Sequence, residues 1–409
     1  MPLADHRLST DHGALLDGLF DGRPLLLIQD LDGVCMALVR DPLTRTVSTD
    51  YLAAARSLAG TLFVLTNGEH VGSRGMNGIV ERALGGVDAA RGRYLAGLAA
   101  GGVQWQDVDG VVSHPGVSAA EMRFLAGVPA RMATFLQATL AAAPYDLPAT
   151  QRADIVSACV LDNLASPTLN LNMAFAALGG DAAACHGLQK SAEAFTRGLL
   201  VEAAREGLDG AFFLHLAPNL GSGPDGERLM PAGDGLAGTT DFQFMLTGGV
   251  KEAGVLALLN RVCARDGGGY PLGEGFSVRE APQGHDALRA LARERIDPAR
   301  MPRIVGVGDT LTAQRTRSGE VVRGGSDRGF LQLVQDLGRD FGTDNAVLFV
   351  DSSGDALRRP ALDLAAPAAR RAVGISDPDD PLTIQFAFPG GHRQYIGFVE
   401  ALAARYRAG

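Results

Sequence analysis

Apolar residues along this chain fall into two rhythms. Short unbroken runs at Leu25–Ile28, Thr61–Leu65, Ile304–Val307 and Asn345–Val350 have the length and continuity of strands buried on both faces of a parallel sheet. Other stretches repeat apolar positions at helical spacing: Gly13–Phe20, Ser48–Ala59, a helix from Lys251 to about Ala264, Asp286–Glu294 and Gln394–Tyr406. Ser48 or Thr49 can cap the second of these and Gly60 stops it. Residues 25–65 therefore read as strand, crossover helix, strand, the parallel α/β unit. Asp241–Leu246 and Leu382–Phe388 read as further strands.

The texture changes in between. Helical patterns at Gly78–Leu84, Asp88–Ala100, Ala119–Ala143 and Leu188–Gly207 surround two strand-like pieces, Gly110–Ser113 and Gly210–Leu216. Pro144, Pro148 and Pro167 punctuate this region, and Gly221–Gly238 reads as a flexible loop or return linker. The expected fold is α/β: a Rossmann-like parallel-sheet core from residues 1–75 and 241–409, with a large inserted α+β cap domain at 76–240.

Ligands of open α/β sheets gather at the carboxyl ends of the strands, so the strand ends decide the chemistry. The first reads Asp30-Leu31-Asp32-Gly33, two acids that repel each other and that a divalent cation would relieve. Asp and Gly also close strands as a plain turn, and on this stretch alone both readings stand. The second end, Thr66-Asn67-Gly68-Glu69, offers a hydroxyl and an amide suited to phosphate, or an ordinary Asn-Gly turn. Thr247-Gly248-Gly249-Val250-Lys251 turns into a helix N-terminus, where backbone donors favour an anion. Gly308-Asp309-Thr310 puts another carboxylate at a strand tip, and Asp327 stands at a helix start, where it could equally be an N-cap.

Composition narrows the classes. Of 409 residues, 46% are hydrophobic and 20% charged, an ordinary globular balance in a chain long enough for two domains. Net charge is −9, and no basic stretch marks a nucleic-acid footprint. No apolar run approaches a membrane span, and residues 1–10 lack the features of a signal peptide. Cys35, Cys159, Cys185 and Cys263 show neither zinc nor disulfide spacing, so a cytoplasmic protein is expected. Only Lys190 and Lys251 are lysines among 37 basic residues. Codon bias accounts for that blandly, yet a lysine kept where arginine serves elsewhere points to its compact ammonium. Lys190 reads as a surface residue.

Taken in order, Asp30-x-Asp32-Gly33-Val34, Thr66-Asn67-Gly68, Lys251 and Gly308-Asp309 resemble the haloacid-dehalogenase (HAD) superfamily of phosphotransferases. A closer resemblance, to the glucosylglycerol 3-phosphate phosphatases of compatible-solute synthesis, spans nearly the whole chain. It is carried by residues 29–36, Asp41-Pro42-Leu43-Thr44-Arg45, residues 247–254 and residues 306–310. The resemblance implies a phosphatase in which Asp30 forms an aspartyl-phosphate and Asp32 protonates the leaving alkoxide and later activates water. It also implies that Thr66, Lys251 and the Asn67–Gly68 backbone hold the phosphoryl oxygens. Mg²⁺ would be held by Asp30, the Asp32 carbonyl, Asp309 and Asp327. An acid at position 32 fits a phosphatase rather than a dehalogenase, because a carbon–halogen bond needs no protonated leaving group. The cap would read the sugar, with Glu69, His70, His215, Asn219 and Asp241 as candidates.

Two departures stand out. Lys251 lies farther ahead of Asp309 than the superfamily's lysine usually does, and Asp327 follows an insertion. The implied partner is a small sugar phosphate, with a cognate glucosylglycerol-phosphate synthase as a candidate and neither nucleic acid nor membrane. A phosphatase of sucrose or trehalose phosphate, or an idle phosphosugar-binding regulatory subunit, are the alternatives. Three intact carboxylates argue against an idle site.

Overall fold

The computed structural model describes residues 1–224, 226–233, 235–316, 318–365 and 371–408. The helix α1 (His12–Gly18) leads into β1 (Leu25–Gln29), α2 (Thr49–Ser57) and β2 (Leu62–Leu65). Ser48 caps α2 through its hydroxyl, as its position before the helix predicts. Next come α3 (Met76–Leu84), the single turn α4 (Val87–Ala90), and β3 (Gly97–Ala99), β4 (Gln104–Gln106) and β5 (Val112–Ser113). A second body follows: α5 (Ala119–Ala141), α6 (Ala149–Cys159), β6 (Val160–Leu161), β7 (Thr168–Asn170), α7 (Asn172–Ala177) and α8 (Ala182–Arg205). It closes with β8 (Phe212–Ala217), the hairpin β9 (Asn219–Gly223) and β10 (Gly226–Leu229), and β11 (Asp241–Leu246). The chain then runs through α9 (Lys251–Cys263), α10 (His285–Arg295), β12 (Arg303–Gly308) and a second hairpin, β13 (Thr312–Arg315) and β14 (Val321–Gly324). Last are α11 (Arg328–Phe341), β15 (Ala346–Val350), β16 (Phe386–Phe388) and α12 (Gly391–Ala408).

The large sheet has the order β16-β15-β12-β1-β2-β3-β4-β5. Its neighbours are parallel from β16 to β3 and antiparallel beyond. All five residues of β1 are buried because both faces are covered. Leu26 and Ile28 enter the apolar core shared with α9, α10 and α11, whereas Leu25 and Leu27 enter the one shared with α2 and α12. A smaller antiparallel sheet, β6-β7-β11-β8, lies under α5 and α8, and its core is continuous with the first of these. No helix among the described residues is long and apolar enough to cross a membrane.

The parallel α/β core is as expected, but the edges of its parts move. Residues 88–100 do not form one helix; the chain leaves α4 and enters β3. Gly97 explains why: it sits at φ +145°, and a Cβ there would lie 2.2 Å from the Val64 carbonyl oxygen. Strands β3 to β5 belong to the large sheet although they fall within 76–240. Conversely β11, counted with the second part of the core, lies in the small sheet. By sheet membership the inserted body runs from about residue 114 to the turn before Lys251. The glycine-rich 221–238 stretch is not simply a loop, since it carries most of the β9–β10 hairpin.

Candidate active site

The strand order reverses between β1 and β12, because the chain winds outward to β2 and β3 on one side and to β15 and β16 on the other. That is where a doubly wound sheet opens a crevice for ligands. Asp30 follows β1 directly, and its N–H donates to the Val307 carbonyl of β12 at 3.0 Å. Asp309 follows β12 directly. On the other flank Gln29 pairs with Val64, so Thr66 leaves β2 beside the same tip.

Two helix starts complete the cluster. Lys251 Nζ, at the head of α9, is 2.7 Å from Asp30 Oδ2 and 2.7 Å from Asp327 Oδ1. Asp327 precedes α11 but makes no capping bond to it. Its second oxygen instead accepts from the backbone N–H groups of Asp309 and Thr310, each at 2.9 Å. The Thr310 hydroxyl donates to Asp309 Oδ1 at 2.9 Å, while Asp309 Oδ2 is buried with no partner among the described residues. One carboxylate oxygen each from Asp30, Asp309 and Asp327 lie within 4.8 Å of one another.

Burial pushes the carboxyls of both Asp30 and Asp309 above the usual range, and the charge of Asp327 adds to it. Lys251 opposes the shift at Asp30. Its own ammonium is disfavoured by burial but held charged by Asp30 and Asp327. Three acids are gathered around Lys251, with the Arg359 guanidinium acting on Asp309 from outside the cluster. The orphaned Asp309 oxygen also faces Gly33 (φ +78°), where any Cβ would sit 2.1 Å from it. A glycine that clears space before a bare carboxylate oxygen, within a set of hard oxygen donors, fits a divalent cation.

The remaining candidates divide. Asp32 stands apart from the trio, its side chain 34% exposed and bound by Arg45 Nη1 at 2.9 Å. Thr66 Oγ1 accepts from Gly68 N–H at 3.1 Å, which leaves the hydroxyl proton to donate elsewhere. Asp241 accepts from Asn170 Nδ2 at 2.5 Å, and its carboxyl is raised to about 6 by burial, with Arg359 opposing and Asp32 adding. Lys190 is exposed on α8.

Four of the five hydroxyl-reading candidates already have partners within the protein, and His215 and Asn219 also line a cavity with Lys251. Glu69 is spent on the N–H groups of Leu164, Ala165 and Ser166, the Ser166 hydroxyl and Gln104. His70 is fully buried with Nε2 at the Gly97 carbonyl, 3.3 Å away. His215 bridges Glu227 at 2.7 Å and the Asn67 amide at 2.8 Å. Asn219 holds a turn, donating to Leu216 and Glu227 and accepting from Gly221 and Gly325. Sequence reasoning missed Arg45 as a site residue, although it lies in the quoted Asp41–Arg45 motif. It also missed Arg359, which lies in a loop with no pattern to mark it.

A family described as Glucosylglycerol-phosphate phosphatase matches residues 24–403. The chain belongs to that family. A Synechocystis sp. protein named glucosylglycerol-phosphate phosphatase is 48% identical over 420 aligned residues, covering 100% of this chain and 99% of that one. Among solved structures, an Aspergillus fumigatus trehalose-6-phosphate phosphatase aligns with TM-score 0.42 and 10% identity, covering 97% of this chain and 99% of that one. The C-terminal domain of a Candida albicans trehalose-6-phosphate phosphatase gives 0.48 and 10%, with 98% of each chain covered. The family match takes in every residue of the acidic cluster.

Proposed function

We propose that this chain hydrolyses glucosylglycerol 3-phosphate to glucosylglycerol and phosphate with Mg²⁺. The observation that carries the reading is the buried Asp30–Lys251–Asp327–Asp309 constellation at the reversal point of the sheet, in a chain of this family. Asp30 attacks phosphorus and forms an aspartyl-phosphate, splitting one hard displacement into two. The Leu31 N–H, 2.8 Å from Asp30 Oδ1, and Lys251 on Oδ2 hold the carboxylate at a fixed angle. Asp32, oriented by Arg45, donates a proton to the departing alkoxide. It then takes one from the water that attacks the aspartyl-phosphate and releases phosphate.

The Thr66 hydroxyl, the Asn67 and Gly68 backbone and Lys251 bind the transferring oxygens, since phosphoryl transfer needs mainly positioning and charge. Asp30, Asp309, Asp327 and the Asp32 carbonyl would hold Mg²⁺, which when bound neutralises the phosphoryl charge. The inserted body serves as a cap that shuts water out and reads the sugar, with Asp241 facing Asp32. In the same reading the substrate comes from a cognate synthase and the chain works in the cytoplasm.

The test is phosphate release from glucosylglycerol 3-phosphate with Mg²⁺ and with EDTA. Metal-dependent turnover that falls by on the order of 10⁵ in Asp30→Asn is expected, the scale of losing a nucleophile. Turnover confined to other sugar phosphates overturns the substrate, and no turnover of any phosphoester overturns the enzyme.

A further inference from the structure

The small sheet turns one face to the strand tips, and that face is polar. Phe242, Phe244 and Leu246 of β11 enter the apolar core with Phe124 and Phe212, so Asp241 and Gln243 point the other way. His215 lies opposite Gln243 in β8 and is bonded to Asn67, which shows that this face looks onto the Thr66-Asn67 turn. Thr168 and Asn170 of β7 flank the other side, opposite Gln243 and Asp241.

On this face the Gln243 Oε1 atom is buried and has no hydrogen-bond partner among the described residues. From the large-sheet side, Arg359 Nε is likewise buried and unpartnered; Arg359 lines a cavity with Asp309, and the charges of Asp309 and Asp241 act on its guanidinium. Folded proteins rarely leave such atoms unpaired, because a buried donor or acceptor without a partner loses its hydration for nothing. Two orphans of opposite polarity thus belong to the surroundings of Asp241: Gln243 shares its sheet face, and the charge of Arg359 acts on its carboxylate. Asp32, which faces the leaving group, is the most exposed acid of the tip and lies near Asp241.

We propose that Gln243, Asp241 and Arg359 form the subsite for the polyol part of the substrate. Gln243 and Asp241 accept from its hydroxyls and Arg359 donates to its oxygens. The assignment rests on the phosphatase reading above. A set holding both acceptors and a forked donor suits neighbouring hydroxyl groups, each of which donates and accepts. The Asn170 amide on Asp241 fixes the carboxylate's angle, and the residue opposite Asp241 in β8 is the small Ala217.

The experiment compares kcat/KM for glucosylglycerol 3-phosphate with kcat/KM for methyl phosphate, which has the ester and no polyol. In Gln243→Met the ratio is expected to fall about tenfold, the factor for one uncharged hydrogen bond, with the loss in KM for the sugar ester. In Arg359→Met it is expected to fall about 100-fold, because a charged donor is lost. The Kd of glucosylglycerol itself, measured by calorimetry, should weaken in step. An unchanged ratio in both variants, or equal losses on the two esters, overturns the subsite. If the wild type prefers a different sugar phosphate, the substrate reading fails. The subsite is then judged by the same ratio for that ester. Arg359→Met, on the large-sheet side, decides the matter if Gln243→Met does not fold.

Discussion

Two buried acids that follow strands of the same sheet have opposite surroundings. Glu69, just beyond β2, accepts five hydrogen bonds: from three successive backbone N–H groups, a serine hydroxyl and a glutamine amide. Asp309, at the end of β12, has one oxygen held by Thr310, and the other lacks a well-formed hydrogen bond among the described residues, with the Ser352 hydroxyl its neighbouring donor. Burial raises the carboxyl of each; at Glu69 every neighbour opposes the rise, whereas at Asp309 the charges of Asp327 and Asp30 add to it, with Ser352 and Arg359 opposing. Saturation is what a structural acid calls for, and a deficit of donors is what the proposed metal-binding role of Asp309 calls for. Glu69 fastens the loop between β6 and β7 to the large sheet, whereas Asp309 keeps a lone pair in reserve.

The sharpest break of this contrast is Asp309→Asn. Turnover should fall by roughly 10²–10³, with a matching rise in the Mg²⁺ concentration at half-saturation. Without Mg²⁺ its melting temperature should hold or rise, since one of three crowded acids is gone. A drop in stability would place Asp309 with Glu69. Glu69→Gln should do the reverse, losing about 3 kcal/mol in urea unfolding because an amide NH₂ replaces an acceptor among donors. Unchanged stability would show that the fastening counts for little.

The smallest effect is a pH slope. Burial lowers the His70 pKa to about 4, with the Gly97 carbonyl opposing, against about 6.5 when unfolded. Between those values the unfolded chain binds the extra proton, so stability should fall as pH drops below 6.5, by at most about 1.4 kcal/mol per unit. His70→Phe should flatten that part of the urea-midpoint profile; an unaltered slope would assign it to other groups.

The large sheet was legible because a doubly covered strand has to be an apolar run, and β1, β2, β12 and β15 are such runs. Asp30 and Asp309 were legible for the same reason, each standing where a run ends. Lys251 was harder: sequence distance from Asp309 says nothing about α9 and α11 starting side by side. Of the small sheet only β8 and β11 were legible; β6 and β7 are two or three residues long and carry no period. The internal partners of the sugar-reading candidates were not legible, because a His or Asn after a strand looks the same whether it faces a ligand or a backbone carbonyl.

The insertion between Asp309 and Asp327 is the β13–β14 hairpin, and the inserted body holds on to it. The Thr312 hydroxyl donates to the Asn219 carbonyl at 2.6 Å, and Gly325 N–H donates to Asn219 Oδ1 at 3.2 Å. One asparagine of the inserted body thus fastens both ends of the segment that separates the two acids, so the spacing of Asp309 and Asp327 is set partly from outside the large sheet.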